Sequence, residues 1–397
     1  MSTPTSTLVP RQVIIGGICG LVLTLGLARF AYTPLLPLMQ AQAGLSDLAG
    51  GWLAAINYLG YMSGALLAAW IDDGRWRQRL YSAGLLLAIV STLTMGLTHN
   101  PIIWALSRYL GGLCGAAGLL LGSGLVLNWL MRAGRRPELG LHFIGIGLGI
   151  AVSALGAMAL SALQLDWAGH WLGLGALGLV FLLPAWAWRP PVPPPAKAGH
   201  MSGAAPSMRW MGLMTAAYFC AGWGFVIGAT FTVVIVERQP LLAGSGPLAW
   251  LLVGLAAMPA VFLWDRIARR IGELPALLIA FALQIVSALL PVWSGSLAAA
   301  LVGALLYGAT AIGIVSLTLA LVGRSSPGNP GKAMARLTLS YGVAQISAPA
   351  LTGSMVQASG NYRSALWLTA AVLLVGMGLL MALLREQRRA AGPRLQS

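Results

Sequence analysis

The sequence predicts an all-α polytopic membrane protein, and three observations lead to this fold class. Apolar residues make up 58% of the 397 residues and charged residues only 8%, whereas about 25% of the residues in an ordinary soluble domain are charged. Runs of 18 or more apolar residues recur along the chain, too many for one water-soluble core to hide. The 24 basic residues outnumber the nine acidic ones and cluster between the runs. This distribution is typical of cytoplasmic loops in a membrane protein rather than of a nucleic-acid-binding surface.

Twelve apolar segments can be counted in chain order, and we interpret each as one transmembrane helix. The first six segments cover residues 12–39, 47–70, 80–98, 101–130, 138–162 and 168–188. The second six cover residues 210–236, 246–264, 274–293, 297–322, 333–357 and 363–384. Within each set of six, the connections between consecutive segments are short, so consecutive helices are expected to run up and down.

A proline-rich stretch separates the two sets of six. Residues 189–208 read RPPVPPPAKAGHMSGAAPSM. Prolines favour extended chain and small polar residues have little to bury, so this stretch is expected to be a linker. The predicted organisation is an N-terminal six-helix bundle at 1–188, a cytoplasmic linker at 189–208, and a C-terminal six-helix bundle with a short cytoplasmic tail at 209–397.

The basic residues also predict the topology. With the N-terminus in the cytoplasm, all but four of the 24 basic residues fall in cytoplasmic connections or tails, as the positive-inside rule requires. Arg238 and Arg363 fall on the outer side, while Arg29 and Arg108 fall inside apolar segments. Both termini are therefore predicted to be cytoplasmic. Glu237 and Arg238, at the outer end of the seventh segment, are interpreted as a solvated pair or an outer gate.

Arg29 and Arg108 are the candidate binding residues. Arg29 lies within GLARFAYTPLLPLMQ (26–40), roughly 25 Å along the first predicted helix and past the bilayer midplane. Arg108 lies roughly 10 Å inside the fourth segment from its outer end. A charge at such depth is costly and usually functional. Since neither segment carries a carboxylate, the two guanidiniums predict a positive cavity that favours an anionic ligand.

A structural role is the alternative for both arginines. An arginine near a helix end can extend to the interface, and one beside irregular backbone can bond free carbonyls. Pro34 and Pro37 would each leave one carbonyl without an intrahelical donor. The sequence leaves open whether the guanidiniums hold a substrate or these carbonyls.

Polar side chains elsewhere in the apolar segments are candidates to complete the site, although amides and phenols also join helices in lipid without any further role. The candidates for substrate binding are Tyr32, Asn57, Tyr58, Tyr341 and Gln345. His142 lies one turn into the fifth segment. It would either relay a proton during coupling or meet the headgroup layer.

Several chemistries are excluded by the motifs that the sequence lacks. It contains no Gly-x-x-x-x-Gly-Lys-Ser/Thr phosphate loop, no cluster of residues with metal-ligand spacing and no Gly-x-Ser-x-Gly nucleophile. The few acidic residues lie mostly at segment ends. The chain is therefore expected to be no enzyme and to need no cofactor or nucleic-acid partner.

Two connections share a pattern of an acidic residue followed by arginines. The connection after the second segment reads IDDGRWRQRL (71–80), and the connection after the eighth reads WDRIARRIGE (264–273). The second of these resembles the loop signature of the major facilitator superfamily, and the first is similar to a degraded copy. The resemblance implies a gating role for Asp72, Arg75, Asp265, Arg266 and Arg270.

Further blocks carry the same resemblance. Arg108-Tyr-Leu-Gly-Gly112 is similar to the superfamily's Arg-x-x-x-Gly element. Five more blocks resemble the YbfB/YjiJ-type branch of bacterial transporters: ARFAYTPLLPLM (28–39), WLAAINYLGYMSGALLA (52–68), GLHFIGIGLGI (140–150), YGATAIGIVSLTLAL (307–321) and YGVAQISAPALTG (341–353). The resemblance implies the major-facilitator fold, in which the first, fourth, seventh and tenth helices line the central cavity. Arg29 and Arg108 would then both face that cavity.

Three functional hypotheses follow. The first is a secondary active transporter, monomeric and located in the bacterial inner membrane. It would move a small organic solute, anionic rather than cationic, by alternating access, and it would draw on substrate or proton gradients. The second is proton-coupled efflux of drugs or metabolites, which usually relies on an embedded carboxylate that these segments lack. The third is a membrane sensor or assembly protein that does not transport.

Overall fold

The computed structural model describes residues 8–71, 73–134, 139–192, 206–326 and 330–390. Within these ranges every regular element is a helix. The thirteen helices are α1 (Pro10–Gln42), α2 (Asp47–Trp70), α3 (Gly74–Gly96), α4 (Pro101–Arg132), α5 (Leu139–Ala162), α6 (Trp167–Ala187), α7 (Met208–Glu237), α8 (Gly246–Ala257), α9 (Ala260–Ile271), α10 (Glu273–Trp293), α11 (Leu297–Ser325), α12 (Pro330–Ser359) and α13 (Arg363–Ala390).

Ten of these helices are long and apolar enough to cross a membrane, and α8 and α9 together form an eleventh candidate that is bent by 48°. The structure therefore supports ten or eleven spans on this measure rather than the twelve counted from the sequence. The difference lies in α12, which has 30 residues but many serines, threonines and other polar residues. A helix that packs largely against other helices does not need an apolar surface all round.

Two helices contain π-helical stretches, at Val22–Phe30 in α1 and at Ala117–Gly122 in α4. A π turn inserts an extra residue into the helix, so it shifts the side chains that follow to another face. The α1 stretch ends at a turn at Ala31. Arg29 therefore lies at the end of an irregular segment that precedes Pro34, and not in regular helix.

The bend between α8 and α9 falls at Met258 and Pro259. Proline has no backbone N–H and clashes with the preceding turn, so it breaks the helix here. The predicted eighth segment, 246–264, is consequently divided between two helices, and α9 continues to Ile271. Gly272, whose φ is +92°, ends it.

In the described residues, helices from the first and second halves of the sequence pack against each other: the part of α1 after Ala31 packs against α7, and more extensive contacts join α2 with α12 and α5 with α8. Small residues let the backbones touch there. A Cβ added to Gly254 of α8 would lie 2.5 Å from the backbone nitrogen of Ala151 in α5, and one added to Gly51 of α2 would collide with the carbonyl oxygen of Pro349 in α12. These contacts hold the two halves together around the middle of α1 and α7.

Candidate functional site

Arg108 is bound to the irregular part of α1. It is 3% exposed, and its Nη1 donates to the carbonyl oxygens of Arg29 at 3.2 Å and Ala28 at 3.5 Å. Its guanidinium carbon lies 4.3 Å from the ring centroid of Tyr32, in cation–π geometry. The carbonyls that it bonds belong to the π-helical stretch and are not those released by Pro34 and Pro37, which are the carbonyls of Phe30 and Thr33.

Arg29 has different surroundings. It is 5% exposed, and its guanidinium carbon lies 4.3 Å from the ring centroid of Tyr61, 4.6 Å from that of Tyr58 and 5.3 Å from that of Phe30. No carbonyl or carboxylate in the described part of the chain bonds or pairs with it, and its Nε has no hydrogen-bond partner there. Aromatic faces stabilise a cation but leave its N–H groups free to donate to an anion.

Other predicted residues join this cluster. Asn57 is fully buried; its Nδ2 donates to the carbonyl of Arg108 at 2.7 Å, while its Oδ1 has no partner among the described residues. The Tyr32 hydroxyl donates to the carbonyl of Gly50 at 2.9 Å. The structure thus brings Arg29, Tyr32, Asn57, Tyr58 and Arg108 around one cavity, whose nearest charges are both positive.

The opposite wall of this cavity comes from the second half of the sequence. Ala229 and Thr230 of α7 line it, and the Thr33 hydroxyl donates across to the carbonyl of Ala229. The cavity offers about 10 Å³ to the centres of water molecules, which is room for about one water. The arginine cluster is therefore closed in this structure to anything larger than a water molecule.

Tyr341 and Gln345, both buried on α12, do not line the arginine cavity. The ring of Tyr341 stacks on that of Tyr218 with 4.5 Å between centroids, and its hydroxyl has no partner in the described ranges. The ring centroid of Phe225 lies 5.8 Å from that of Tyr341. Tyr218, Phe225 and Tyr341 therefore form an aromatic cluster within the second half of the sequence.

His142 lies apart from the cluster, on α5 beside α4. It is 1% exposed, so its side chain is covered by other parts of the protein. Its Nε2 lies 2.8 Å from the hydroxyl oxygen of Ser123, and its Nδ1 has no partner among the residues described. One ring nitrogen is therefore fixed and the other is available to exchange a proton if water reaches it.

The predicted gating residues lie on helices rather than in loops. Asp265, Arg266 and Arg270 are exposed on α9, where Asp265 pairs with Arg269 one turn further along. Arg75 is the second residue of α3, and its backbone N–H donates to the Asp73 carboxylate at 2.8 Å. Asp72 falls outside the described residues. Asp265, Arg266 and Arg270 lie on a helix because the chain bends at Pro259 and then continues as α9 to Ile271.

Charged residues also link the two halves at the end of the molecule where α2 begins. Asp47, the first residue of α2, pairs with Arg238, which follows the last residue of α7. The Gln40 amide donates to Asp47 at 2.9 Å. Glu237 instead accepts from the backbone N–H groups of Gly244 and Gly246 at 2.8 and 2.7 Å, before and at the start of α8. Glu237 and Arg238 thus do not form a solvated pair with each other, and Arg238 instead takes part in a link between the halves. The interpretation as an outer gate stays a prediction.

The sequence analysis did not identify two features of the site, the residue Tyr61 and the contact between Thr33 and Ala229. Tyr61 lies three residues after Tyr58 on α2, so helical spacing could have placed it on the same face. The contact between Thr33 and Ala229 joins residues 196 positions apart, and no local pattern indicates it.

Comparison with solved structures identifies the class to which this fold belongs. The nucleoside transporter NupG, in a mutant form, superposes with a TM-score of 0.75 at 15% identity, covering 94% of this chain and 99% of that one. A bacterial homologue of the human lysosomal transporter Spinster, inward-facing and occupied, gives 0.68 at 16% identity over 97% and 98%. The human organic anion transporter MFSD10 gives 0.65 at 18% identity over 96% and 100%. The chain thus has the fold of multi-pass solute transporters.

A family model gives the narrower assignment. The model described as "Uncharacterised MFS-type transporter YbfB" matches residues 21–381, and the chain belongs to this family of membrane transporters. This confirms the resemblance seen in the sequence blocks. Two curated relatives match over shorter stretches: the Schizosaccharomyces pombe uncharacterized transporter mfc1, 25% identical over 141 residues, and the Bacillus subtilis uncharacterized MFS-type transporter YceJ, 34% identical over 92 residues. The stretches span 34% and 23% of this chain and 28% and 24% of those relatives.

Proposed function

We propose that this protein is a secondary active transporter of a small organic anion, in which Arg29 holds the negative charge of the solute. The observation that carries the proposal is the state of Arg29: a buried cation, surrounded by aromatic rings, with no carboxylate partner among the described residues. Burying an unpaired charge is costly, so a site that keeps one is expected to receive a counter-charge from a ligand.

The arrangement around Arg29 favours an anion with an apolar or aromatic body. The guanidinium presents a planar fork that matches a carboxylate or phosphate. Tyr58, Tyr61 and Phe30 supply flat apolar surface beside it. MFSD10, which shares the fold, is an organic anion transporter.

We further propose that α12 is the twelfth span, with α8 and α9 together forming one. The chain would then consist of two six-helix bundles at 1–188 and 209–397, joined by the linker at 189–208. We also propose that the protein is a monomer in a bacterial inner membrane, and the distribution of its basic residues supports placing both termini in the cytoplasm. In this orientation the Asp47–Arg238 link lies on the outer side.

The cavities support alternating access between the two bundles. The halves are joined at the Asp47 end by the ion pair with Arg238. Toward the other end of α2 a cavity of about 300 Å³ lies between α2, α4, α11 and α12, with Met62, Leu121 and Met334 among its walls. A molecule closed at one end and wider at the other corresponds to an inward-facing, partly occluded state, and rocking of the bundles would reverse it.

His142 is the proposed proton-coupling residue. It is buried beside Ser123 with one ring nitrogen unengaged among the described residues. It also lies against α1, since a Cβ added to Gly17 would lie 2.7 Å from its ring. Gain or loss of a proton there would change the contact between α1 and α5, which is how proton binding could bias the rocking equilibrium.

Transport assays on purified protein in liposomes test the proposal. Uptake should be measured for radiolabelled aromatic and aliphatic carboxylates and for their neutral amide analogues. We expect uptake of at least one carboxylate but not of its amide. Arg29→Ala should lower uptake at least ten-fold, because the guanidinium proposed to hold the anion is removed. Arg29→Lys should retain part of the uptake, since a lysine keeps the charge but not the fork.

Arg363→Ala is the matched control, because it removes an exposed arginine at the start of α13 and should leave uptake unchanged. If no anion is taken up while an uncharged drug is exported, the efflux alternative replaces this proposal. If ligands bind without any flux, the sensor alternative does.

A further inference from the structure

A second cavity lies inside the second half of the molecule, between α7, α10, α11 and α13. It offers about 50 Å³ to the centres of water molecules, which corresponds to on the order of four waters. Among the described residues, its lining contains hydroxyl and amide groups but no charged side chain. It therefore differs from the arginine cavity in both size and charge.

Gln284 of α10 is the main polar group of this cavity. The side chain is 2% exposed, and neither Oε1 nor Nε2 has a hydrogen-bond partner in the described part of the chain. Buried amides in proteins nearly always have partners, and in a membrane there is no bulk water to supply one. An amide with both ends unengaged beside a cavity points to a ligand that occupies the cavity.

The remaining polar groups indicate what such a ligand would offer. The hydroxyls of Thr232, Ser287 and Thr369 donate to the carbonyls of Gly228, Gly303 and Ala365 at 2.7, 2.7 and 2.8 Å. Their protons are thus used, and their oxygens are left as acceptors. Pro291 lacks the N–H that would otherwise bond the carbonyl of Ser287, so that acceptor is also released.

We propose that this cavity is a second ligand site, centred on Gln284, which takes a small uncharged molecule with several hydrogen-bond donors and at least one acceptor, such as a primary amide or a short polyol. The excess of acceptors in the walls requires donors on the ligand. The Gln284 amide group requires an acceptor as well. The absence of any charged side chain from the lining disfavours an ion.

This site is separate from the arginine cluster. The Tyr307 hydroxyl donates to the carbonyl of Phe225 at 2.6 Å, and its ring lies against Gly228, where an added Cβ would collide with it. Tyr307 also lines a smaller apolar cavity beside Phe30 and Trp250. Its ring therefore forms a wall between the polar cavity and the space where the two halves meet.

Binding of acetamide to the full-length protein in nanodiscs tests the proposal, with acetone as the matched probe because it has nearly the same shape and a carbonyl but no N–H donor. Saturation-transfer NMR should show saturable binding of acetamide, at least ten-fold tighter than that of acetone. Gln284→Leu should weaken acetamide binding at least ten-fold. Gln357→Leu, which alters an exposed glutamine on α12, should leave it unchanged, and so should Arg29→Ala.

Three outcomes would overturn the inference. One is equal binding of acetamide and acetone to the unmodified protein, a comparison that does not depend on any variant folding. Another is unchanged acetamide binding in Gln284→Leu. The third is no saturable binding of acetamide, urea or glycerol, which would mean that the cavity holds only water.

Discussion

Two arginines are buried in the described part of the protein, and they perform different tasks although they belong to one cluster. Arg108 uses its guanidinium to bond carbonyls of the π-helical stretch of α1, so it connects α4 to α1. Arg29, which supplies one of those carbonyls, directs its own guanidinium at aromatic rings. One arginine thus positions the backbone that carries the other.

Substitution of Arg108 should therefore affect stability before it affects binding. We expect Arg108→Ala to lower the free energy of unfolding by about 1–3 kcal/mol, because two buried carbonyls lose a charged donor. Arg108→Lys should recover part of the loss. Thermal unfolding in detergent measures this, with Arg363→Ala as the exposed control. A variant as stable as the parent protein would show that these bonds contribute nothing to the fold.

The sequence contained enough to select the residues of the site but not to assign their roles. Depth in an apolar segment singled out Arg29 and Arg108, since a charge in hydrocarbon needs a reason to be there. It could not show which carbonyls Arg108 bonds, because the π-helical stretch in α1 depends on packing against other helices. Tyr341 and Gln345, selected on the same ground of polarity in an apolar run, lie outside the arginine cavity.

At the scale of elements, close backbone contact between α2 and α12 is expected to restrict how these two helices move against each other. Gly51 and Pro349 meet there, and the backbone of Gly353 lies next to them. Rigid backbones in contact can slide or rotate as units, but they cannot absorb an added side chain by a rotamer change.

Gly51→Ala should impair transport more than a typical glycine substitution. The added methyl would collide with a backbone carbonyl, so α2 and α12 would have to separate. We expect at least a five-fold loss of uptake rate and a lower unfolding temperature. Gly378→Ala on α13 is the control, because a Cβ there meets open space and alanine favours helix by about 1 kcal/mol over glycine. Equal behaviour of the two variants would refute this account.

The order of the elements was predictable, and their irregularities were not. The hydrophobic runs in the sequence correctly predicted the positions of the eleven candidate spans found in the structure. They did so because a membrane requires a similar length and an apolar surface of every helix that crosses it. The same rule counted α12 as an ordinary span, although its polar residues exclude it on a stricter measure of hydropathy. Pro259 was a visible break signal within the predicted eighth segment, and it explains why Asp265 lies on a helix.

At the scale of the whole molecule, the Asp47–Arg238 pair is the charged link that holds the halves together on the proposed outer side. Both side chains are partly exposed, at 18% and 34%. Pairs of this kind contribute about 0.2–1 kcal/mol. Such an energy is small for stability but is enough to change the ratio of two conformations by up to about five-fold.

A charge-swap experiment measures this contribution. Asp47→Arg and Arg238→Asp should each shift the population toward the outward-open state two- to five-fold, and the double variant should restore the original ratio because the pair is rebuilt with reversed signs. Distances between spin labels on the ends of α1 and α7 report the populations. A double variant that behaves like the sum of the singles would show that the two residues do not interact.

The charge of Arg29, which has no carboxylate partner among the described residues, also has an electrical consequence. An empty site that carries two fixed positive charges, of Arg29 and Arg108, feels the membrane potential, at about 2.3 kcal/mol for each elementary charge moved through 100 mV. A bound monoanion cancels part of that force. In the proposed orientation, an interior-negative potential would favour the inward-facing conformation of the empty carrier and would act less on the loaded one. The voltage across the membrane would therefore set the rate at which the empty carrier returns to the outward-facing conformation.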